Sequence, residues 1–156
     1  MDHGDKAREL FMRGCNCAQA SFCSFCDVTG MDEKLALRLS SSFGGGMGRL
    51  REVCGALSGI FMAAGILYGY DNLEDKSLKT AHHERIQELA RRFSQENGSI
   101  LCRELLGLKE RHSQPEPEDR TKDYYARRPC PGLVEGAARI LDQYIKEHPL
   151  DEKQNG

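Results

Sequence analysis

The fold of this chain is constrained most by an uncharged stretch of 18 residues, 53–70, in a sequence where 29% of the residues are charged. Four of these positions are glycine, in two Gly-x-x-x-Gly pairs that place small residues on the surface of a helix. A helix of this length is at the lower limit for crossing ~30 Å of hydrocarbon, and the chain offers no second candidate. We therefore predict no membrane span, but a buried helix against which neighbouring helices pack closely.

The rest of the chain also follows helical patterns. Runs that alternate β-branched and polar residues are absent, and apolar residues recur at helical spacing. The sequence predicts an all-α fold, a single-domain helical bundle of about five to six helices with the uncharged Gly/Ala-rich helix at its centre. This domain covers residues 1–150, includes a charged surface loop over 109–129, and precedes a polar tail, 151–156.

Capping residues and glycines set the predicted helix ends. Asn16 with Gln19 resembles a capping box, Asp32 and Ser99 are N-cap residues, and Pro131 suits the first position of a helix. We expect helical segments over residues 6–12, 17–28, 33–43, 52–68, 75–97, 100–106 and 131–145.

Charge and cysteine content narrow the function. A formal net charge of -2 gives no strongly basic face, so nucleic acid is not an expected partner. The N-terminal residues lack the regions of a secretory signal and the C-terminal residues lack a lipidation motif, so we expect a cytoplasmic protein. Cysteines there are mostly reduced, metal-binding or transiently oxidised, and an odd count of seven excludes complete intramolecular pairing.

Four of the seven cysteines fall at predicted helix N-termini: Cys17, Cys54, Cys102 and Cys130. Unpaired backbone N–H groups and the helix dipole favour an anion there, so we expect these thiols to be biased toward thiolate. Arginines stand beside them in sequence and could lower the pKa values further: Arg49 and Arg51, Arg103, and Arg127 with Arg128. The alternative is that each cysteine is a small buried hydrophobic residue.

The other three cysteines, Cys15, Cys23 and Cys26, do not suit a local metal site. On a continuous helix Cys17 and Cys26 point to opposite faces, so Cys15, Cys17, Cys23 and Cys26 could not converge. The Cys23-Ser-Phe-Cys26 segment could act as a redox pair, but we place it in the middle of a helix rather than at its start. We therefore expect these extra thiols to serve mainly in packing.

A glycine loop precedes the uncharged helix: Gly44, Gly45, Gly46 and Gly48, followed by Arg49. It follows a helix rather than a strand and lacks a Gly-Lys-Ser/Thr ending, which argues against a nucleotide site. Missing side chains let the backbone approach a neighbour or cofactor, and its N–H groups could donate to an anionic centre. We assign the loop a supporting role, together with Gly55 and Arg103.

Several motifs together resemble the redox-active C_GCAxxG_C_C family. They are Gly14-Cys-Asn-Cys-Ala-Gln-Ala20, Phe43-Gly-Gly-Gly-Met-Gly48, Cys54-Gly-Ala-Leu-Ser-Gly59, Cys102-Arg-Glu-Leu-Leu-Gly107 and Cys130-Pro131. The resemblance covers roughly residues 5–146, and the four cysteines of the family fall on Cys17, Cys54, Cys102 and Cys130. It implies redox activity, and a related domain of split-Soret cytochromes suggests an iron-sulfur centre. Haem is not expected, because the chain has no Cys-x-x-Cys-His.

Three functions stay open at this point. The first is an iron-sulfur protein in electron transfer, with the four cysteines as ligands. The second is a thiol-disulfide oxidoreductase or redox sensor that uses the same cysteines, and the third is a zinc-binding structural or interaction module. We expect an unidentified redox partner protein, and the uncharged helix could face a second copy of the chain in a homodimer.

Overall fold

The computed structural model describes residues 1–151, and all the regular elements in this range are helical. They are α1 (His3–Met12), α2 (Cys17–Cys23), α3 (Cys26–Thr29), α4 (Glu33–Ser40), α5 (Gly44–Met47), α6 (Gly55–Tyr68), α7 (Lys76–Asn97), α8 (Cys102–Leu105), α9 (Lys122–Arg127) and α10 (Cys130–Glu147). The all-α prediction is confirmed. Six of these helices have seven residues or more, and the others are one or two turns long. The short α5 belongs to the glycine loop, because Gly45 and Gly46 have φ angles of +67° and +68° and are not helical.

The uncharged helix, α6, lies at the centre of the bundle, as predicted. Its most extensive contact is with α2, and α10 and α7 pack on it as well. The approach of α2 is close because Gly59 has no side chain: a Cβ there would lie 1.9 Å from Ser21 Oγ and 2.7 Å from the backbone oxygen of Ala18. Within residues 1–151, no helix is long and apolar enough to cross a membrane.

Helices α1 and α10 pack on each other and on α2 and complete the core. Their apolar faces, which include Ala7 and Phe11 on α1 and Val134 and Leu141 on α10, are fully buried. Helix α7 contributes Leu89 and Phe93 to the same core, whereas Leu78 near its start is 44% exposed.

Beyond shifts of a few residues at helix ends, two features of the helical pattern differ from the sequence prediction. The expected helix over 17–28 is interrupted by a turn at Ser24 and Phe25, so α2 ends at Cys23 and α3 begins at Cys26. The 109–129 segment, expected as a loop, contains the short helix α9, whose first turn is capped by the Thr121 side chain. The predicted tail over 151–156 lies, apart from Asp151, outside the described residues.

Candidate redox site

Each of the four helix-start cysteines is held at the beginning of its own helix. Cys17 is the first residue of α2, where Asn16 forms a complete capping box, and Cys54 is the N-cap residue of α6. Cys102 and Cys130 are the first residues of α8 and α10. Their places along the helices are therefore those expected from the sequence.

A short antiparallel bridge places two of these cysteines side by side. Val53 pairs with Leu101, the N–H of Cys54 donates to the backbone oxygen of Ile100 at 2.8 Å, and the N–H of Cys102 donates to that of Glu52 at 2.6 Å. The starts of α6 and α8 are thus fixed to each other by main-chain hydrogen bonds.

All four of these cysteines line one cavity of about 330 Å³. Cys54, Cys102 and Cys130 are buried, and Cys17 is partly buried. Within residues 1–151, no three His, Cys, Asp or Glu side chains are grouped closely enough to hold a single metal ion. The four thiols therefore share one cavity without being grouped as the ligands of a single ion.

The glycine loop forms one wall of this cavity. Gly46 has φ +68°, and a Cβ there would lie 2.7 Å from the Cβ of Cys102, so only glycine lets the loop pass this close to the thiol. Three residues of this segment that are not glycine also have positive φ angles: Met47 (71°), Arg49 (68°) and Arg51 (62°). Such backbone conformations cost about 1–3 kcal/mol each and occur mostly at functional sites.

The cavity lining carries an excess of positive charge. Four arginines line it, Arg49, Arg51, Arg120 and Arg128, against one carboxylate, Glu118. An anion in the cavity would therefore be stabilised by these side chains.

Arg51 is the most deeply buried of these arginines, with 4% of its surface exposed. Its Nε donates to Ser113 Oγ at 2.9 Å and its Nη1 donates to Cys102 Sγ at 3.5 Å. No carboxylate among residues 1–151 forms an ion pair with it. A buried guanidinium without a carboxylate is costly unless other acceptors face it, and here the acceptors are Ser113 Oγ and the Cys102 sulfur.

The loop between α8 and α9 supplies the other side of the cavity. Arg128 is paired with Glu118, and its buried Nε has no hydrogen-bond partner in the described part of the chain. Arg120 lies over the ring of Phe11, 4.3 Å from its centroid, and donates to the backbone oxygen of Cys15 at 3.1 Å. The charged segment over 109–129 therefore contributes directly to the cavity lining.

The pKa values of two of the cavity thiols are raised rather than lowered. Burial raises the pKa of Cys54 to about 12, although the backbone N–H groups of Ala56 and Leu57 lower it, and burial also raises the pKa of Cys102 against the effect of Arg51. For these two residues the expected bias toward thiolate is wrong, because loss of hydration outweighs the helix N-terminus.

Cys130 is the exception. A hydrogen bond from the Cys17 thiol, with the charge of Arg128, lowers the pKa of Cys130 to about 7. The same hydrogen bond, together with burial, raises the pKa of Cys17 well above its usual value. Of the two thiols, Cys130 is therefore the one that ionises more readily.

The remaining residues expected at the site divide into two groups. Gly44, Gly45, Gly46, Gly48, Arg49 and Gly55 line the cavity. Arg103 does not line it and instead pairs with Glu52 at 3.1 Å, while Cys15, Cys23 and Cys26 also lie outside it. Arg120 and Glu118 line the cavity although they were not expected there, because nothing in the sequence of a highly charged loop distinguishes the side chains that point into a cavity.

Comparison with known proteins assigns the chain to a family. A family model described as "Putative redox-active protein (C_GCAxxG_C_C)" matches residues 15–144. The chain belongs to this family. The match runs from just before Cys17 to near the end of α10, and so includes all four cysteines of the cavity. No curated protein and no solved structure matches the chain significantly.

Proposed function

We propose that this member of the C_GCAxxG_C_C family is an electron-transfer protein that binds an iron-sulfur cluster through Cys17, Cys54, Cys102 and Cys130. The observation that supports the proposal is the single cavity lined by four thiols, each from the start of a different helix. Four cysteine ligands are the usual set for such clusters.

The two metal-binding alternatives need different spacings of the four sulfurs. In tetrahedral zinc sites the Zn–S bonds of ~2.3 Å bring the sulfurs to roughly 3.8 Å from one another. No such grouping is present within residues 1–151. In a four-iron cluster each thiolate binds a different iron, so the ligand sulfurs lie further apart than they do around a single ion.

The charges of the lining also suit a cluster, which is anionic when four thiolates hold it. Such a group, when bound, supplies reversible one-electron transfer. Arg51 would donate to the Cys102 sulfur, and Arg120 and Arg128 would add positive charge nearby. Hydrogen bonds to ligand sulfurs and nearby positive charge raise a cluster's reduction potential, so these arginines would tune the potential.

The test is an absorption spectrum with iron, sulfide and zinc analysis of protein purified without oxygen. We expect brown protein with stoichiometric iron and sulfide, and loss of both in Cys17→Ser, Cys54→Ser, Cys102→Ser and Cys130→Ser. Cys23→Ser and Cys26→Ser are matched controls that should keep the full iron content. Equal losses in both sets would contradict the ligand assignment, and zinc without iron would favour the structural module instead.

A second function, thiol-disulfide exchange, is favoured by the Cys17–Cys130 pair. Cys130 with its pKa of about 7 would be the attacking thiolate, and Cys17, within hydrogen-bond distance, would resolve the mixed disulfide. Under this function the purified protein is colourless and free of metal, and mild oxidation links Cys17 to Cys130. Peptide mapping of the oxidised protein separates this outcome from the cluster.

A redox partner protein and a homodimer are further expectations for this function. Light scattering coupled to size-exclusion chromatography tests the second, since a monomer has a mass of 17.5 kDa.

A further inference from the structure

Two cysteines outside the cavity, Cys23 and Cys26, lie at the two ends of the turn that separates α2 from α3. Its central residues have φ, ψ values of -60°, -22° at Ser24 and -100°, 11° at Phe25, close to those of a type I β-turn. Such a turn brings its first and fourth Cα atoms to within ~7 Å, and disulfides span Cα distances of about 4.4–6.8 Å. The backbone therefore already holds this pair at a distance that a disulfide can bridge.

The side chains are arranged for a two-step exchange. The Cys23 and Cys26 thiols lie close enough to affect each other's pKa, and burial raises the pKa of both, that of Cys23 to about 12. Cys23 is 3% exposed, whereas Cys26 is only partly buried and can be reached from solvent. The attacking thiol must be accessible to the oxidant, whereas the resolving thiol only has to reach the attacking thiol. The more exposed Cys26 is therefore assigned as the attacking thiol.

The turn is held in place by its own neighbours. Ser24 Oγ donates to the backbone oxygen of Ser21 at 2.7 Å. Phe25 is fully buried and stacks on His3 with ring centroids 4.2 Å apart, and His3 in turn contacts Asp27 at 3.0 Å. These contacts fix the positions of the residues on either side of both thiols, so little conformational freedom has to be lost when the bond forms.

We propose that Cys23 and Cys26 form a second redox pair, separate from the cavity, which a low-molecular-weight disulfide oxidises to an intramolecular bridge. Cys26 gives its proton to solvent, its sulfur attacks one sulfur of the small disulfide, and the S–S bond breaks to release one small thiol. Cys23 then loses its proton and attacks the Cys26 sulfur, displacing the second small thiol. The two cysteines together lose two electrons and two protons, which appear in the two small thiols.

The proposal does not depend on what the cavity binds. Cys17 and Cys23 are the first and last residues of α2, which places them about 9 Å apart along the helix axis. Cys23 and Cys26 are absent from the cavity lining. The pair can therefore be oxidised whether the cavity holds a cluster, zinc or free thiols.

The test uses the full chain incubated with glutathione disulfide, followed by alkylation of the remaining thiols and peptide mapping. Trypsin leaves Cys15, Cys17, Cys23 and Cys26 on one peptide, so chymotrypsin is needed to cleave after Phe22 and Phe25. We expect most of the peptide from Cys23 to Phe25 to be linked to the peptide that begins at Cys26. A bond between Cys23 and Cys15 would overturn the proposal. A protein that carries glutathione on Cys26 and forms no bond between Cys23 and Cys26 would overturn it as well.

Three variants test the two roles. In Cys23→Ser the Cys26 thiol should keep a stable glutathione adduct, because nothing resolves it. In Cys26→Ser the buried Cys23 should remain unmodified, and glutathione on Cys23 would refute the order of attack. Cys15→Ser is the matched control and should form the bridge as the unmodified chain does. If a serine variant fails to fold, judged by circular dichroism, the map of the unmodified chain still decides.

Discussion

Replacing Gly59 with alanine tests how closely α2 and α6 must pack to bring their cysteines to one cavity. The added Cβ would meet Ser21 Oγ at 1.9 Å, the backbone oxygen of Ala18 at 2.7 Å and the backbone nitrogen of Phe22 at 2.9 Å. The serine side chain can rotate, but the two backbone atoms cannot, so the helices must move apart.

The size of the effect follows from two opposing contributions. Overpacking costs about 1–3 kcal/mol, and contact with backbone on α2 places Gly59→Ala at the upper end. Alanine in place of a helical glycine returns about 0.5–1 kcal/mol, which leaves a net loss of roughly 2 kcal/mol. Gly65 on the same helix is the matched control, because a Cβ there meets nothing within 4 Å. Gly65→Ala should therefore gain about 0.5–1 kcal/mol.

Urea unfolding of both variants with a thiol reductant present measures these differences without interference from cysteine oxidation. We expect the two unfolding free energies to differ by about 3 kcal/mol, with unchanged m-values. A Gly59→Ala protein as stable as the unmodified chain would refute the close crossing of α2 and α6. Since Cys17 and Cys54 begin these two helices, iron content should also fall in Gly59→Ala and stay constant in Gly65→Ala.

Two further predictions concern the titration of the cavity thiols in reduced, metal-free protein. Alkylation of Cys130 should accelerate as the pH rises, with a midpoint at about pH 7. Cys17→Ala should shift this midpoint to higher pH because the hydrogen-bond donor is lost. Cys17→Ser keeps a donor and should leave the midpoint unchanged. Failure of the two variants to differ would contradict the hydrogen bond. Arg51→Met should raise the pKa of Cys102 further and slow its alkylation at pH 8 severalfold, because the donor to its sulfur is lost. Arg103→Met, which removes an arginine that binds Glu52 instead, should leave that rate unchanged.

The helix starts at the site were predictable because each is marked by local chemistry. Asn16 and Gln19 form the capping box that the sequence suggests, and Pro131 occupies the first turn of α10. Capping depends on residues within one turn of each other, so a single sequence contains the information that it needs. The central position of α6 was predictable for a similar reason, since an uncharged stretch has few stable places other than a core.

The break between α2 and α3 was not predictable from the same kind of signal. No glycine or proline marks it, and Ser24 and Phe25 are compatible with a helix. The turn is stabilised by burial of Phe25 and its stacking on His3, a residue 22 positions away in the sequence. Contacts of this kind depend on the finished fold, which explains why Cys23 and Cys26 were expected within a helix.

The arginines of the cavity show the same limit. Arg51 stands out in sequence as a neighbour of Cys54, yet the sulfur it binds is that of Cys102, 51 positions along the chain. Arg120 reaches the cavity only because the loop folds over Phe11. Sequence adjacency therefore identified Arg51 but not the thiol that it contacts, and it gave no indication of Arg120.

The raised pKa values of Cys17 and Cys54 and the excess of arginines together determine the charge of the cavity lining. With Cys17 and Cys54 protonated at neutral pH, the lining keeps a surplus of positive charge in a buried space. A ligand that binds thiolates must displace these protons, so it is opposed by burial and favoured by the arginines. Because the protons must leave, binding of an iron-sulfur cluster should weaken as the pH falls. A buried guanidinium that has no carboxylate partner, such as Arg51, is stabilised most when a negative charge binds beside it. A lining of this kind would favour an anionic group bound by the four cysteines, with Arg51 placed to donate to the Cys102 sulfur.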